Sequence, residues 1–306
     1  MLRYTLRRLL QLIPVLLGIT MMTFGILHAI PGDPIAIMAP QDATEEDIQH
    51  LRAQFGLDQP LPVQYVLYVK NALQGDLGVS LRTRDPVVES LWRRLQFTVQ
   101  LTLLSIVIGV LIGIVAGVVA AINQDTWIDN AIMVTALTLI SVPGFWLSLM
   151  LLTIFAGQLR LLPSGGAGTI QHLILPAVVI SHGAAAVIAR YTRASMLEVI
   201  RQDFIRTVRA NGIPERLIIF KHALRNALNP VLTVVGLQFG FLLGGSAITE
   251  TIFALPGIGR LMINAIYTRD YPVVQGGILF IAVTFVLVNL ITDLCYALVN
   301  PRIRYT

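Results

Sequence analysis

Six stretches of this chain contain no Asp, Glu, Lys or Arg: residues 9–32, 95–124, 130–159, 161–189, 226–249 and 271–292. A charged side chain costs several kcal/mol at the centre of a bilayer, and a helix needs roughly 20 residues to cross a hydrocarbon layer about 30 Å thick. Each stretch, at 22 to 30 residues, can hold such a helix. The chain is therefore expected to be an all-α, polytopic membrane protein with six transmembrane helices. Composition agrees, with 55% hydrophobic and only 13% charged residues, against about 25% charged in an ordinary soluble domain. A soluble enzyme is excluded.

The fourth stretch opens with Pro163, Ser164, Gly165, Gly166, Ala167 and Gly168, which read as a loop, so its membrane part is expected to begin near His172. The first stretch follows Arg3, Arg7 and Arg8 as a signal peptide would. Its 24 uncharged residues exceed the h-region of such a peptide and lead to no small-x-small site, which favours an uncleaved span. Six spans put both termini on one side. With the termini inside, the inner segments carry 13 bases and five acids, a charge of +8, while the outer ones carry nine bases and eleven acids, a charge of −2. Excess positive charge marks the cytoplasmic side, so both termini are expected there.

The 62 residues between the first two spans, 33–94, belong outside on this topology. Thr44, Glu45, Glu46 and Asp47 can start a helix whose Ile48, Leu51 and Phe55 share a face and which stops at Gly56. A second apolar run, 63–73, follows Pro60 and Pro62 and precedes Gly75. The pair reads equally as a cap over the outer mouth or as amphipathic helices lying on headgroups. The chain thus divides into 1–94, the first span with its outer segment, and 95–306, the transmembrane core. The single cysteine, Cys295, excludes a disulfide framework and a multi-thiolate zinc site. The 22 basic residues include only Lys70 and Lys221 as lysines and form no long run, so membrane lipid rather than nucleic acid is the expected partner of the charge.

Within the spans, Gly109, Gly113 and Gly117, and likewise Gly236, Gly240 and Gly244, recur every four residues and form smooth stripes. These suit close helix packing, or alternatively contact with a partner subunit. Pro143 and Gly144 interrupt the third span and predict a kink there. Polar residues are few; Ser141, Gln238, Ser246, Thr249 and Asn289 are the candidates for lining a translocation pathway, Gln238 foremost because Phe239 and Phe241 flank it. His182 reads as a substrate ligand or as a packing histidine. No intramembrane carboxylate of the kind an ion-coupled secondary transporter uses is evident. The chain has no H-E-x-x-H, no G-x-S-x-G and no glycine-rich phosphate loop, so no catalytic residue, metal or cofactor is expected, and any use of ATP belongs to another protein.

The most informative segment is the inner loop 190–225. Met196, Leu197, Ile200, Phe204, Ile205 and Val208 predict one helical apolar face ending before Gly212. Pro214 then restarts a helix at its first position, with Glu215 in the positive first turn. Leu217, Ile218, Ile219 and Phe220 make an apolar knob expected to be exposed, a docking surface for a cytoplasmic partner.

At this loop a resemblance emerges. Asp203-Phe204-Ile205-Arg206-Thr207-Val208-Arg209-Ala210-Asn211-Gly212, followed by His222-Ala223-Leu224-Arg225-Asn226-Ala227-Leu228-Asn229-Pro230, is similar to the EAA loop of bacterial ABC importer permeases, in their dipeptide, oligopeptide and nickel branch. Val208 and Asn211 depart from it, standing where Ala and Lys are usual. Further stretches of the same kind are Ile30-Pro31-Gly32-Asp33-Pro34, Thr249-Glu250-Thr251-Ile252-Phe253, Arg269-Asp270-Tyr271-Pro272 and Asn300-Pro301-Arg302. The resemblance implies a type I importer permease fold in the bacterial inner membrane. It also implies a homologous second permease, two cytoplasmic ATPases and an extracytoplasmic substrate-binding protein as partners. Arg209, Ala210, Asn211, Gly212, Glu215 and Phe220 would contact an ATPase. Peptide is the implied substrate. Glutathione is the alternative, because residues 238–246 also resemble glutathione permeases, and nickel is another, for which no Met or His cluster is evident.

Overall fold

The computed structural model describes residues 2–30, 44–54 and 56–299. Helices dominate. In chain order they are α1 (Leu2–Ala29), α2 (Glu45–Gln54), α3 (Leu61–Leu73), α4 (Val87–Ile122), α5 (Trp127–Ser141), α6 (Gly144–Leu151) and α7 (Gln171–Ile200). There follow α8 (Asp203–Ala210), α9 (Glu215–Leu217), α10 (Leu224–Gly245), α11 (Ala247–Ile252), α12 (Ile258–Tyr267) and α13 (Tyr271–Val299). Wide π-helical turns continue α6 over Leu152–Gln158 and join α9 to α10 over Ile218–Ala223. Among the described residues only one isolated bridge, Val79 with Pro86, is strand-like.

Among the described residues five helices are long and apolar enough to cross a membrane, and a sixth span exists if α5 and α6 are counted together. The sequence predicts a kink at Pro143; the structure has a bend of 98°. Pro143 is extended, with φ −64° and ψ 129°, so the helical ladder is cut rather than merely tilted. The 15 residues of α5 then reach only about 22 Å, less than a full hydrocarbon layer. The fourth span begins at Gln171, close to the expected position.

The chain forms two compact units. In the first, Met1–Gln96 with Gly257–Leu287, Leu27, Val87, Leu91, Ile258, Met262 and Val274 pack as the core. Buried Asp270 accepts hydrogen bonds from Ser80 Oγ at 2.5 Å and from the Leu81 N–H at 3.0 Å, holding the turn before α4. The two helices expected within residues 33–94 form, α2 ending before Gly56 and α3 starting after Pro60; Leu51 and Phe55 of the expected α2 face lie outside the described side chains. α3 is seated on α1: the Tyr65 hydroxyl lies 3.1 Å from Thr20 Oγ1, and Gln64 Oε1 3.3 Å from His28 Nε2. Tyr68 donates to the Gln275 carbonyl of α13 at 3.2 Å. Burial, and secondarily Tyr65, pushes the Tyr68 phenol up to about 12.

The second unit is chiefly Phe97–Pro256. Its α4 and α7 lie against each other along the first glycine stripe. A Cβ on Gly113 would sit 2.7 Å from Ile188 Cβ, and one on Gly117 2.5 Å from the Ala189 carbonyl. The stripe therefore serves packing within the chain and not a partner subunit. Around it, Ala184, Ile188, Val231 and Leu242 join α7 to α10.

Candidate docking elbow and transmembrane cavity

The expected continuous helix through Met196 to Val208 is broken: α7 ends at Ile200 and α8 starts at Asp203 after an extended Gln202. The break lets both pieces bury their apolar sides, with Met196 and Ile205 fully covered. Phe204, expected on that face, is instead exposed. Pro214 stands one position earlier than expected, as the cap before α9. Ile218 is a correction to the exposed knob. It is 1% exposed and packs with Met196, Ile205, Ala223 and Ala227, leaving Leu217 at 49% and Phe220 at 60% as the apolar surface. Only one face of a helix can meet the core, and the π turn starting at Ile218 rotates that residue inward.

Between α8 and α9 the chain reverses at Asn211 and Gly212. Gly212 has φ +73°, a left-handed conformation that glycine adopts without steric cost. Across this turn Arg209 grips Glu215 with two hydrogen bonds, Nη2 to Oε1 at 2.6 Å and Nε to Oε2 at 3.1 Å. The guanidinium holds the Glu215 carboxyl below the ordinary carboxylate range, and the carboxylate raises Arg209 in return. All six residues singled out from the sequence, Arg209, Ala210, Asn211, Gly212, Glu215 and Phe220, are exposed on this elbow. Its interior is apolar and its exposed face mixed, and the Arg209–Glu215 pair staples the turn.

The pathway candidates separate. Gln238 and Thr249 come together in a cavity of about 650 Å³ formed by α5, α7, α10 and α11, with His182, Gly183, Val187 and Phe241 also in its wall. No charged side chain lines it. His182 lines the cavity, and its nitrogens face the carbonyls of Val179 and, at 3.3 Å, of Val142 at the bend. Ser246 is buried and donates to Glu250 Oε1 at 2.8 Å rather than lining the cavity. Ser141 bonds back to the Leu137 carbonyl at 3.0 Å. Asn289 lies outside the residues whose side chains are described.

Of two buried acids, Glu250 stood out in the sequence only within the stretch Thr249-Glu250-Thr251-Ile252-Phe253, and Asp129 was not singled out. The Glu250 carboxylate is fully buried and also accepts from Thr98 Oγ1 at 2.8 Å. Asp129, 1% exposed in the first turn of α5, takes both Nε and Nη2 of Arg193 at 2.5 Å, and the Asp125 N–H at 3.1 Å. Asp129 and Arg193 are 64 positions apart, so no local pattern signals the pair.

The helical bundle thus carries a neutral cavity along its helices and an exposed stapled elbow between two of them. The chain belongs to the family of inner membrane components of binding-protein-dependent transport systems, whose model matches residues 95–305; the model of that family's N-terminal part matches residues 1–102. In such importers ATP hydrolysis resides in a separate subunit. The chain is 47% identical to a dipeptide transport system permease protein of Alkalihalophilus pseudofirmus. It is 45% identical to a glutathione transport system permease protein of Escherichia coli K12. Each alignment covers the whole of both chains. The fold is similar to that of the MetNI methionine ABC transporter in an inward-facing form, with a TM-score of 0.60 at 21% identity over 69% of this chain and 96% of that one.

Proposed function

We propose that this chain is the permease subunit of an ATP-driven, binding-protein-dependent importer of di- and oligopeptides in the bacterial inner membrane. The full-length 47% identity to a dipeptide permease is the observation that carries this reading. Full-length glutathione permeases at 45% identity support short peptides such as glutathione as substrates of the same machinery. The chain forms half of the pathway with a second homologous permease, its termini are cytoplasmic, and two ATPases engage the loop 190–225 through Gly212, Phe220 and the residues stapled around them. Gln238, Thr249 and His182 belong to the pathway wall, where neutral hydrogen-bonding groups suit zwitterions of varied side chain. ATP-driven closure of the ATPases favours one state of the helices, and hydrolysis restores the other.

Native co-purification tests this. The tagged chain, extracted gently from its own membranes, should bring down two ATPases and a second permease in fixed ratio. Recovery of the chain alone, still transporting after reconstitution, would overturn the reading. Titration of the accompanying binding protein with dipeptides and glutathione then separates the substrates.

A further inference from the structure

A second cavity, about 450 Å³, lies on the same seam between α5 and α7 as the Gln238 cavity and shares Val187 with it. On α5 the walls step from Ile140 in the first to Met133 in the second, and on α7 from Gly183 to Arg190. Each step is seven residues, or about 10 Å of helix. Two antiparallel helices thus carry two cavities in series.

The second cavity differs in its electrostatics. Arg190, Tyr191 and Arg193 line it. The Arg193 charge is neutralised by buried Asp129, whose carboxylate takes two of its N–H groups. Arg190 is exposed, and among the described residues no carboxylate pairs with it. The Arg190 guanidinium therefore lines one of two neighbouring cavities, the other of which is neutral and carries hydrogen-bonding groups. A carboxylate is the natural counterpart of such a fork. An extended residue covers roughly 3.5 Å, so about three residues span the roughly 10 Å of helix from Gly183 to Arg190.

We infer that Arg190 is the anion subsite of the translocation path, taking the C-terminal carboxylate of an extended di- or tripeptide whose remainder lies in the Gln238, His182 and Thr249 cavity. This rests on the peptide-importer reading above and adds to it a free carboxylate and a short length as features the membrane subunit itself selects. The same chemistry would seat the phosphate of a phospholipid headgroup, so the test separates the two.

The complete transporter, with its binding protein, is reconstituted into vesicles of phosphatidylcholine alone and of phosphatidylcholine with phosphatidylglycerol, and ATP-driven uptake of labelled trialanine and of glutathione is measured. Arg190→Lys, Arg190→Gln and Arg190→Glu are compared, each shown to co-purify with its partners; substitutions at an exposed position leave the fold intact. Uptake should order as Arg, Lys, Gln, Glu in both lipids, with Lys within about 3-fold of the parent and Gln lower by about 10-fold or more. Equal uptake by all four, or equal losses for Lys and Gln, overturns the inference and leaves the importer reading standing. So does a loss that wild type already shows in phosphatidylcholine alone, which would make the site a headgroup site. Wild-type uptake of neither peptide overturns the importer reading and this inference with it.

Discussion

At the scale of single residues, the second unit depends on atoms that are absent and charges that are hidden. Gly117 lets the α4 and α7 backbones meet, and the first atom of any side chain there would stand 2.5 Å from both the Ala189 carbonyl and Thr192 Cβ. Gly117→Val should therefore destabilise the protein by about 1–3 kcal/mol through overpacking, read as a lower midpoint of thermal unfolding in detergent. Gly18, which has nothing within 4 Å of its missing Cβ, provides the control and should tolerate alanine. Asp129 offers a contrasting case. Asp129→Ala leaves Arg193, whose side chain is only 25% exposed, without its counter-charge, and removing one partner of a buried pair costs about 3–5 kcal/mol. Adding Arg193→Leu to Asp129→Ala should recover most of that loss; a double variant no more stable than the single would show that the pair acts through something other than charge. Repetition makes the glycine stripe legible in the sequence. Asp129 is silent there, because its partner is set by the packing of α5 on α7.

At the scale of elements, hinges and turns matter more than helices. The elbow needs Gly212 at φ +73°, whereas proline holds φ near −65°. Gly212→Pro should leave the protein in the membrane while abolishing ATP-driven uptake and ATPase co-purification, and normal uptake by this variant would remove the elbow from the docking role. Phe220→Ala, at an exposed position, should weaken ATPase retention without changing thermal stability. In the first unit, Tyr68 ties α3 to α13. Its phenol is raised to about 12 when folded from an ordinary value near 10, so the protonated form is the one the fold favours. The stability this contributes is present below pH 10 and is lost as pH rises from 10 through 12. Proteolysis of the outer segment should accelerate across that window, and Tyr68→Phe, which cannot ionise, should flatten the profile. The elements themselves were mostly readable: Pro60 and Gly75 bracket α3, and the uncharged windows bracket the spans. The 98° bend at Pro143 was readable only as a kink, since a proline states that the ladder breaks but not how far neighbours will swing the next segment.

At the scale of the whole molecule, the six uncharged windows and the elbow with its glycine were enough to reach a polytopic membrane protein with a docking loop, because lipid solvation and backbone geometry act on each residue locally, and the resemblance of residues 203–230 to the EAA loop added the importer class. A stoichiometric complex from native membranes remains the decisive measurement at this scale, with two ATPases per pair of permeases as the expected composition. The division of roles among side chains was decided elsewhere. Periodicity places Ile218 and Phe220 in one apolar run, but which of them turns to the core depends on where Met196 and Ala227 already stand. Gln238, Ser246 and Thr249 look alike as polar residues of one span, yet two line a cavity and the third serves a buried carboxylate. Hydrophobicity and charge are properties of a residue and its near neighbours, so the sequence alone determined the spans, and its contiguous motifs carried the family resemblance. Burial, ion pairing and cavity lining join residues tens of positions apart, and only the tertiary structure brings those into contact.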